Sequence, residues 1–368
     1  MGKVIFATAT DFLSLPVQTD LNLILKNTEN KFFSELKKLL TAKPEKIALI
    51  THENPDGDAI GSCVGLGEVL KNIGHQVTII VPNDYPAYLQ WFSSKIEIIV
   101  YNRNKKRVKE ILTESETLFC LDFNEPKRTQ HLEKRVLEFP GKKVLIDHHP
   151  HPTQFCHIMI SEPEYSSTAE LVFDVVKKSG LSEYINRNAA EALFTGIMTD
   201  TGSFSHNTSR TNMFKVVAKL MEWGIDTEKI HQAVYHNFSA QRMKLLGYSL
   251  SQKMKVFPEF RSAVIWLSQQ ELEEFNFQPG DAEGFVNYPL SINNIVFSAL
   301  FMEKKDHTKA SFRSKGNFPA NLFSKEHFSG GGHMNAAGGE TKLPLDEAVE
   351  MFTQLLGEYK HQLLETII

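Results

Sequence analysis

The stretch VLIDHHPH, residues 144 to 151, decides how the rest of the chain is read. An apolar run, Val144-Leu145-Ile146, ends in Asp147-His148-His149 and is stopped at once by Pro150. A buried strand that delivers carboxylate and imidazole groups to its carboxyl end is a common way to build a metal site. Successive side chains on a strand alternate faces, but the strand is ending here, so Asp147 and His149 need not share the direction of His148. A polar turn is the competing reading. The choice rests on whether other ligands converge on the same edge.

Three further acidic clusters follow the same plan. Ile47-Ala48-Leu49-Ile50-Thr51 reads as a buried strand and runs into HENPDGDAIGS, which places His52, Asp56 and Asp58 within seven residues. The two carboxylates flank Gly57, so the loop can fold tightly and aim both at one point. Carboxylate with imidazole suits a divalent ion such as Mn2+ better than structural zinc, which favours thiolates. The plainer reading is a turn capping a helix, with Asp58 as the N-cap. In LFCLDFNEP, Asp122 directly follows the apolar Leu118-Phe119-Cys120-Leu121 and so falls at a strand end. In FTGIMTDTGSF, Asp200 ends an apolar helix, where the negative helix terminus disfavours a carboxylate unless a cation offsets it.

These clusters all fall in one half of the chain, each at the end of a regular element. Strands at 47–51, 76–81, 117–121 and 144–146 alternate with helical stretches at 21–40, 59–73, 166–179 and 188–199. That alternation predicts βαβ units and a mainly parallel sheet, whose functional groups gather at the strand carboxyl edge. Up to four carboxylates and two histidines at one edge are enough for two divalent ions. A pair of such ions roughly 3.5–4 Å apart can activate a water against phosphorus while neutralising the phosphate oxygens. Residues 210–237 read as helical with a break at Gly224, and 238–255 as a connector between domains. The C-terminal part changes character, with strands predicted at 261–267, 294–302 and 309–313 and a closing helix at 346–364.

Between those strands and that helix lies GGGHMNAAGG, residues 330 to 339. Its glycines let backbone N–H groups approach an anion, and His333 with the second pair, Gly338-Gly339, favours a phosphate or nucleotide cradle over a flexible turn. Arg313, at the end of a predicted strand in ASFRSKG, is a candidate bidentate phosphate clamp, with Ser314 as an added donor.

Size and composition set outer limits. The 368 residues allow two domains, and 42% hydrophobic with 23% charged residues is a globular balance. No apolar run approaches the roughly 18 residues of a membrane span, and MGKVIFATATDF reads as an ordinary start rather than a signal peptide. Cys63, Cys120 and Cys156 lie far apart without a CxxC pair, which points to a reducing, cytoplasmic setting. A net charge of −4 argues against tracking a long nucleic-acid duplex, but not against a short phosphate-rich substrate held in a pocket.

Taken in order, HENPDGDAIGS, the Asp122 strand end, Asp147-His148-His149 and TDTGSF resemble the four motifs of the DHH phosphoesterase superfamily, and SFRSKG with GGGHMNAAGG resembles its companion DHHA1 domain. The likeness runs from about residue 30 to the C-terminus. It implies an α/β fold of two domains, a DHH domain over 28–237 with a mainly parallel sheet flanked by helices and a smaller DHHA1 domain over 256–368, with the active site in the cleft between them. It also implies two manganese ions, with Mg2+ or Co2+ as substitutes. One ion would be held by His52, Asp56 and Asp122, the other by Asp58, Asp122, His148 and Asp200, with Asp122 bridging. Asp147 would orient the histidines, His149 would face the substrate phosphate or support a ligand, and Arg313, Ser314, Gly331, Gly332 and His333 would bind substrate phosphates.

The layout resembles the oligoribonuclease/pAp-phosphatase group. Hydrolysis of short RNA or DNA oligonucleotides and of 3′-phosphoadenosine 5′-phosphate (pAp) is therefore the expected activity. A linear or cyclic dinucleotide phosphodiesterase is the alternative enzyme, and a non-catalytic nucleotide sensor the alternative from another class. A long-strand exonuclease would carry more basic surface, and a family II pyrophosphatase would lack the glycine-rich element. Assembly as a homodimer is left open.

Overall fold

The structure is a computed structural model that describes residues 21–208 and 210–367. The N-terminal stretch MGKVIFATATDF, read above as an ordinary start, lies outside the described residues. After Asn237 the chain divides into two compact units.

The first unit follows the alternation seen in the sequence. Its elements are α1 (Leu21–Thr41), β1 (Lys46–Ile50), α2 (Gly57–Ile73), β2 (Gln76–Val81), β3 (Ile98–Val100), α3 (Lys105–Glu114) and β4 (Thr117–Leu121). They continue with α4 (Glu133–Leu137), β5 (Lys142–Asp147), β6 (Ile158–Ser161), α5 (Thr168–Lys178), α6 (Arg187–Asp200), α7 (Thr211–Met221) and α8 (Thr227–Tyr235). The six strands form one sheet in the order β3-β2-β1-β4-β5-β6, and every pairing is parallel. Alternation along β1 splits its side chains between two cores: Ile47 and Leu49 pack with α2, α5 and α6, while Ala48 and Ile50 pack with α3 and α4. The strand order reverses between β1 and β4. In an open α/β sheet the crevice at such a switch point, beyond the strand carboxyl ends, is where ligands bind.

Helices α2 and α6 pack closely because glycines face the contact. A Cβ added at Gly61 would lie 2.6 Å from the Ala192 carbonyl oxygen, and one at Gly57 would lie 2.3 Å from Thr199 Oγ1. This close approach carries Asp58, in the first turn of α2, toward Asp200, the last residue of α6.

The second unit is built on a mixed sheet, ordered β11-β12-β10-β9-β8-β7. Its elements are α9 (Ala240–Gln252), β7 (Met254–Phe257), β8 (Ser262–Leu267), α10 (Gln269–Glu274), β9 (Phe297–Glu303) and β10 (Thr308–Ser314). Then come α11 (Ala320–His327), β11 (Gly331–His333), β12 (Ala336–Thr341), α12 (Leu345–Glu358) and α13 (Lys360–Leu364). Only the β8–β9 pair is parallel. One face of the sheet is covered by a phenylalanine core that includes Phe297, Phe312, Phe323 and Phe352. Residues 238–255, read as a connector, contain α9, whose Leu245 and Leu246 are buried against Ile265 and Leu267 of β8.

The glycine-rich segment is neither a flexible turn nor an open loop. Gly331–His333 and Ala336–Thr341 form an antiparallel pair, and β12 continues onto β10 with Ala310 opposite Gly339 and Ser311 opposite Gly338. Glycine is a poor strand former in isolation, and here the pairing partners overrule that preference. The closing helix predicted over 346–364 is two helices, α12 and α13, and the strand predicted from 294 begins at Phe297.

Candidate metal centre

Five elements of the first unit, β1, α2, β4, β5 and α6, position the candidate ligands. Asp122 immediately follows β4 with a left-handed backbone, φ 66°, a conformation that a short carboxamide or carboxylate side chain tolerates better than most. Its two oxygens face opposite ways. Oδ2 lies 3.4 Å from His52 Nε2, whereas Oδ1 lies 3.7 Å from His148 Nε2 and accepts a hydrogen bond from Thr168 Oγ1 at 2.8 Å. His52 is fixed through Nδ1, 2.8 Å from the Glu53 carbonyl oxygen. His148 is fixed through Nδ1, 3.1 Å from the Tyr165 carbonyl oxygen, which leaves Nε2 to face Asp58 at 3.8 Å and Asp200 at 3.5 Å.

Asp58 does not cap α2, as its position in the sequence suggested. Asp56 is the N-cap, accepting from the amides of Asp58 and Ala59 at 3.0 Å each. The Asp58 carboxylate turns away and accepts from the first amides of α5, Thr168 N at 2.6 Å and Ala169 N at 2.9 Å. Amides at a helix start are well suited to an anion. Asp147 is fully buried and its Oδ1 is 2.8 Å from His149 Nδ1, so it orients His149. Its other oxygen has no hydrogen-bond partner among the described residues.

The electrostatics describe a cluster with too much negative charge in too little water. Burial and the charges of Asp122 and Asp200 push the Asp58 carboxyl well above its ordinary value. Burial together with Asp122 raises Asp147 to about 7. Asp122 goes the other way: burial opposes its charge, but the hydrogen bond with His52 and the nearby imidazoles outweigh it and hold the carboxyl well below the usual range. For His148, burial favours the neutral ring, yet Asp200 and Asp122 raise its affinity for a proton. His149 is pushed well below, by burial and by the charge of Arg128. Buried carboxylates that repel one another are stabilised by a counter-cation.

Ligand atoms fall into two compact groups, His52–Asp56–Asp122 and Asp58–His148–Asp200, with the atoms of each within 4.8 Å of one another. A third, overlapping group is Asp122–Asp147–His149. Oxygen and imidazole donors with no thiolate fit hard to borderline divalent cations. All six residues expected as ligands are therefore gathered at the switch-point edge.

The C-terminal candidates lie on the second sheet. Arg313 is on β10, with Nη1 donating to the Phe312 carbonyl oxygen at 2.9 Å. Ser314 is engaged locally: its hydroxyl donates to the Phe318 carbonyl oxygen at 2.7 Å and accepts from Asn335 Nδ2 at 2.8 Å. Gly331 and Gly332 are exposed on the edge strand β11, and His333 ends it. Gly332 has φ 134°, and a Cβ there would meet the Ala336 carbonyl oxygen at 2.5 Å, so the position is restricted to glycine.

Tyr165 and Thr168, which belong to no motif in the sequence, support His148 and Asp122. In the sequence, Ser166-Ser167-Thr168 is simply the beginning of the helical stretch expected over 166–179. Ser167 is indeed the N-cap of α5, while the Thr168 hydroxyl and amide serve Asp122 and Asp58.

Comparison with known proteins agrees with this architecture. The DHH family N-terminal domain matches residues 46–197, and the DHHA1 domain matches residues 262–360. The crystal structure of an exopolyphosphatase-related protein from Bacteroides fragilis is 41% identical, with a TM-score of 0.85 over 92% of this chain and 98% of that one. The bifunctional oligoribonuclease and PAP phosphatase NrnA of Thermus thermophilus is 28% identical over 324 residues, 87% of this chain and 92% of its own. The cyclic-di-AMP phosphodiesterase GdpP of Bacillus subtilis is 27% identical over 341 residues, 88% of this chain but only 49% of that protein. The parallel sheet with acidic and imidazole groups gathered at its switch point, the second α/β domain and these matches together define a DHH-family phosphoesterase. The chain belongs to the DHH family and carries both its DHH and DHHA1 domains. Among the described residues no helix is long and apolar enough to cross a membrane.

Proposed function

We propose that this protein is a Mn2+-dependent phosphoesterase that hydrolyses short oligonucleotides to mononucleotides and pAp to AMP. The observation that carries the reading is the placement of Asp122, whose two oxygens face two separate ligand groups, Oδ2 toward His52 and Oδ1 toward His148. That arrangement suits a bridging carboxylate. His52, Asp56 and Asp122 would hold one ion, and Asp58, Asp122, His148 and Asp200 the other. When bound, such a pair supplies an activated water and neutralises charge on the phosphoryl group.

The protein's own groups do the remaining work. Tyr165 and Glu53 carbonyls set the imidazoles of His148 and His52 with Nε2 toward the acids. Asp147 holds Nδ1 of His149 and so sets the ring, and His149 would face a phosphoryl or leaving-group oxygen of the substrate. Arg313, Gly331, Gly332 and His333 would bind the remaining phosphates of the substrate. The choice of substrates follows the T. thermophilus relative, which matches this chain over nearly its whole length.

A second enzymatic reading is hydrolysis of linear or cyclic dinucleotides, favoured by the match to GdpP across both domains. One panel tests both: purified protein with Mn2+ is given pAp, pApA, a cyclic dinucleotide and a trinucleotide, with Asp122→Ala as control. Release of AMP from pAp and of mononucleotides from the trinucleotide is expected. Turnover of none of these, with nucleotide binding equal in wild type and D122A, would establish a sensor instead.

A further inference from the structure

The segment Pro126–Leu132, a 3-10 stretch after β4, carries a cation that none of the motifs accounts for. Arg128 is set in place from several sides. Its carbonyl oxygen accepts from Glu53 N at 2.8 Å, which ties it to the His52 loop. The same connection is tied to the histidine loop by Asn124 Nδ2, which donates to the Pro150 carbonyl oxygen at 2.7 Å, and by Thr153 N, which donates to the Asn124 carbonyl oxygen at 2.9 Å. Its neighbours Pro126, Thr129 and Leu132 are buried, while Arg128 itself is half-exposed.

The guanidinium makes no hydrogen bond, ion pair or ring contact among the described residues. It is nevertheless close enough for its charge to act on His52, Asp147 and His149, disfavouring a proton on each. A guanidinium presents five donors in a planar fork that matches phosphate oxygens. An arginine beside a carboxylate cluster would ordinarily close onto one of the acids; this one leaves its donors for another anion. We propose that Arg128 is a substrate-binding and catalytic residue whose guanidinium grips the non-bridging oxygens of the phosphoryl group being cleaved. This assignment rests on the phosphoesterase reading above. Donors aimed at charge that develops during the reaction lower the barrier more than they tighten the ground state.

The test uses the full chain loaded with Mn2+ and the variants Arg128→Ala, Arg128→Gln and Arg128→Lys. Circular dichroism and Mn2+ titration come first, then kcat and KM on whichever substrate the wild type hydrolyses, then binding of inorganic phosphate. The expected result is a kcat/KM at least about 100-fold lower in R128A and R128Q, carried mainly by kcat. Mn2+ affinity should stay within about threefold of wild type, and phosphate binding should weaken about tenfold. R128K should recover only a minor part, because a point charge lacks the fork. A kcat/KM within threefold of wild type would show a merely solvated arginine, and a loss that tracks lost Mn2+ would show a structural one; either overturns the proposal. Should the wild type hydrolyse nothing in the panel, the phosphoesterase reading fails separately. Phosphate binding then decides Arg128, and binding that is equal in wild type and R128A, or absent from both, overturns its role.

Discussion

Replacing Thr168 by valine removes one hydrogen bond from Asp122, the proposed bridging carboxylate, while leaving the packing nearly unchanged. Thr168 is fully buried, and its hydroxyl donates to Asp122 Oδ1 at 2.8 Å. Its backbone amide, which donates to Asp58 Oδ2 at 2.6 Å, survives the change. A hydrogen bond to a charged group contributes about 1.5–3 kcal/mol, and about 1.4 kcal/mol is a factor of ten. Loss of the hydroxyl should therefore weaken Mn2+ binding roughly 10- to 100-fold, the range typical of groups that support a metal ligand. The affected oxygen is also the one that faces His148 and His149, both 3.7 Å away, so a freed carboxylate can swing off both. Isothermal titration with Mn2+ and kcat/KM at saturating metal are the measurements. Thr168→Ser, which keeps the hydroxyl, should stay within about threefold of wild type. Mn2+ affinity of T168V within twofold of wild type, in a protein that remains folded, would refute the reasoning. An equal loss in T168S would instead assign the effect to shape.

The helix contact makes a second prediction: Gly61→Ala places a Cβ 2.6 Å from Ala192 O and 2.8 Å from Gly196 N, both backbone atoms, and should destabilise by about 1–3 kcal/mol while weakening Mn2+ binding, because α2 and α6 carry Asp58 and Asp200. Gly67→Ala crowds the flexible tip of Ile96, at 2.7 Å, with Val77 and Ile79 at ordinary contact distance, and should lose less in the same thermal melts. Ser314→Ala should lower stability by about 1 kcal/mol in urea titrations yet change kcat/KM by less than threefold, because the hydroxyl is engaged by Phe318 and Asn335 rather than turned to a substrate. Glu271 is lowered to about 2, because the hydrogen bonds from Tyr248, the Ser268 amide and Lys253 outweigh the opposing effect of burial. A depressed carboxyl stabilises the fold above its unfolded value near 4.5, and the contribution fades as pH falls toward 2. Partly exposed, it contributes about 1 kcal/mol after solvent screening, so Glu271→Gln should lower the unfolding free energy by that amount at pH 7 and by progressively less below pH 4.5.

The parts of this protein that were legible in its sequence share one physical property: they set strong signals against a quiet background. β1, β2, β4 and β5 are apolar runs buried on both faces, and each run is broken by a turn or an acid. β3, three residues long, and β6, only partly buried, lie at the two edges of the sheet and left no comparable pattern. The six candidate ligands were legible because a carboxylate or imidazole at the end of a buried strand or helix is costly without a counter-charge. What the sequence hid is carried by ordinary groups whose role depends on placement. The Tyr165 carbonyl, the Thr168 hydroxyl and the amides of Thr168 and Ala169 look like any helix start, and only the close packing of α2 against α5 and α6 brings Asp58 onto them. That placement answers how such a cluster can fold before any cation arrives. The positive end of α5 receives Asp58 with two hydrogen bonds, His52 and His148 flank Asp122, and Asp147 is left to hold a proton near neutrality. The protein thus supplies part of the counter-charge from its own dipoles and imidazoles, and the remaining repulsion among Asp58, Asp122 and Asp200 is what would draw divalent ions to the edge.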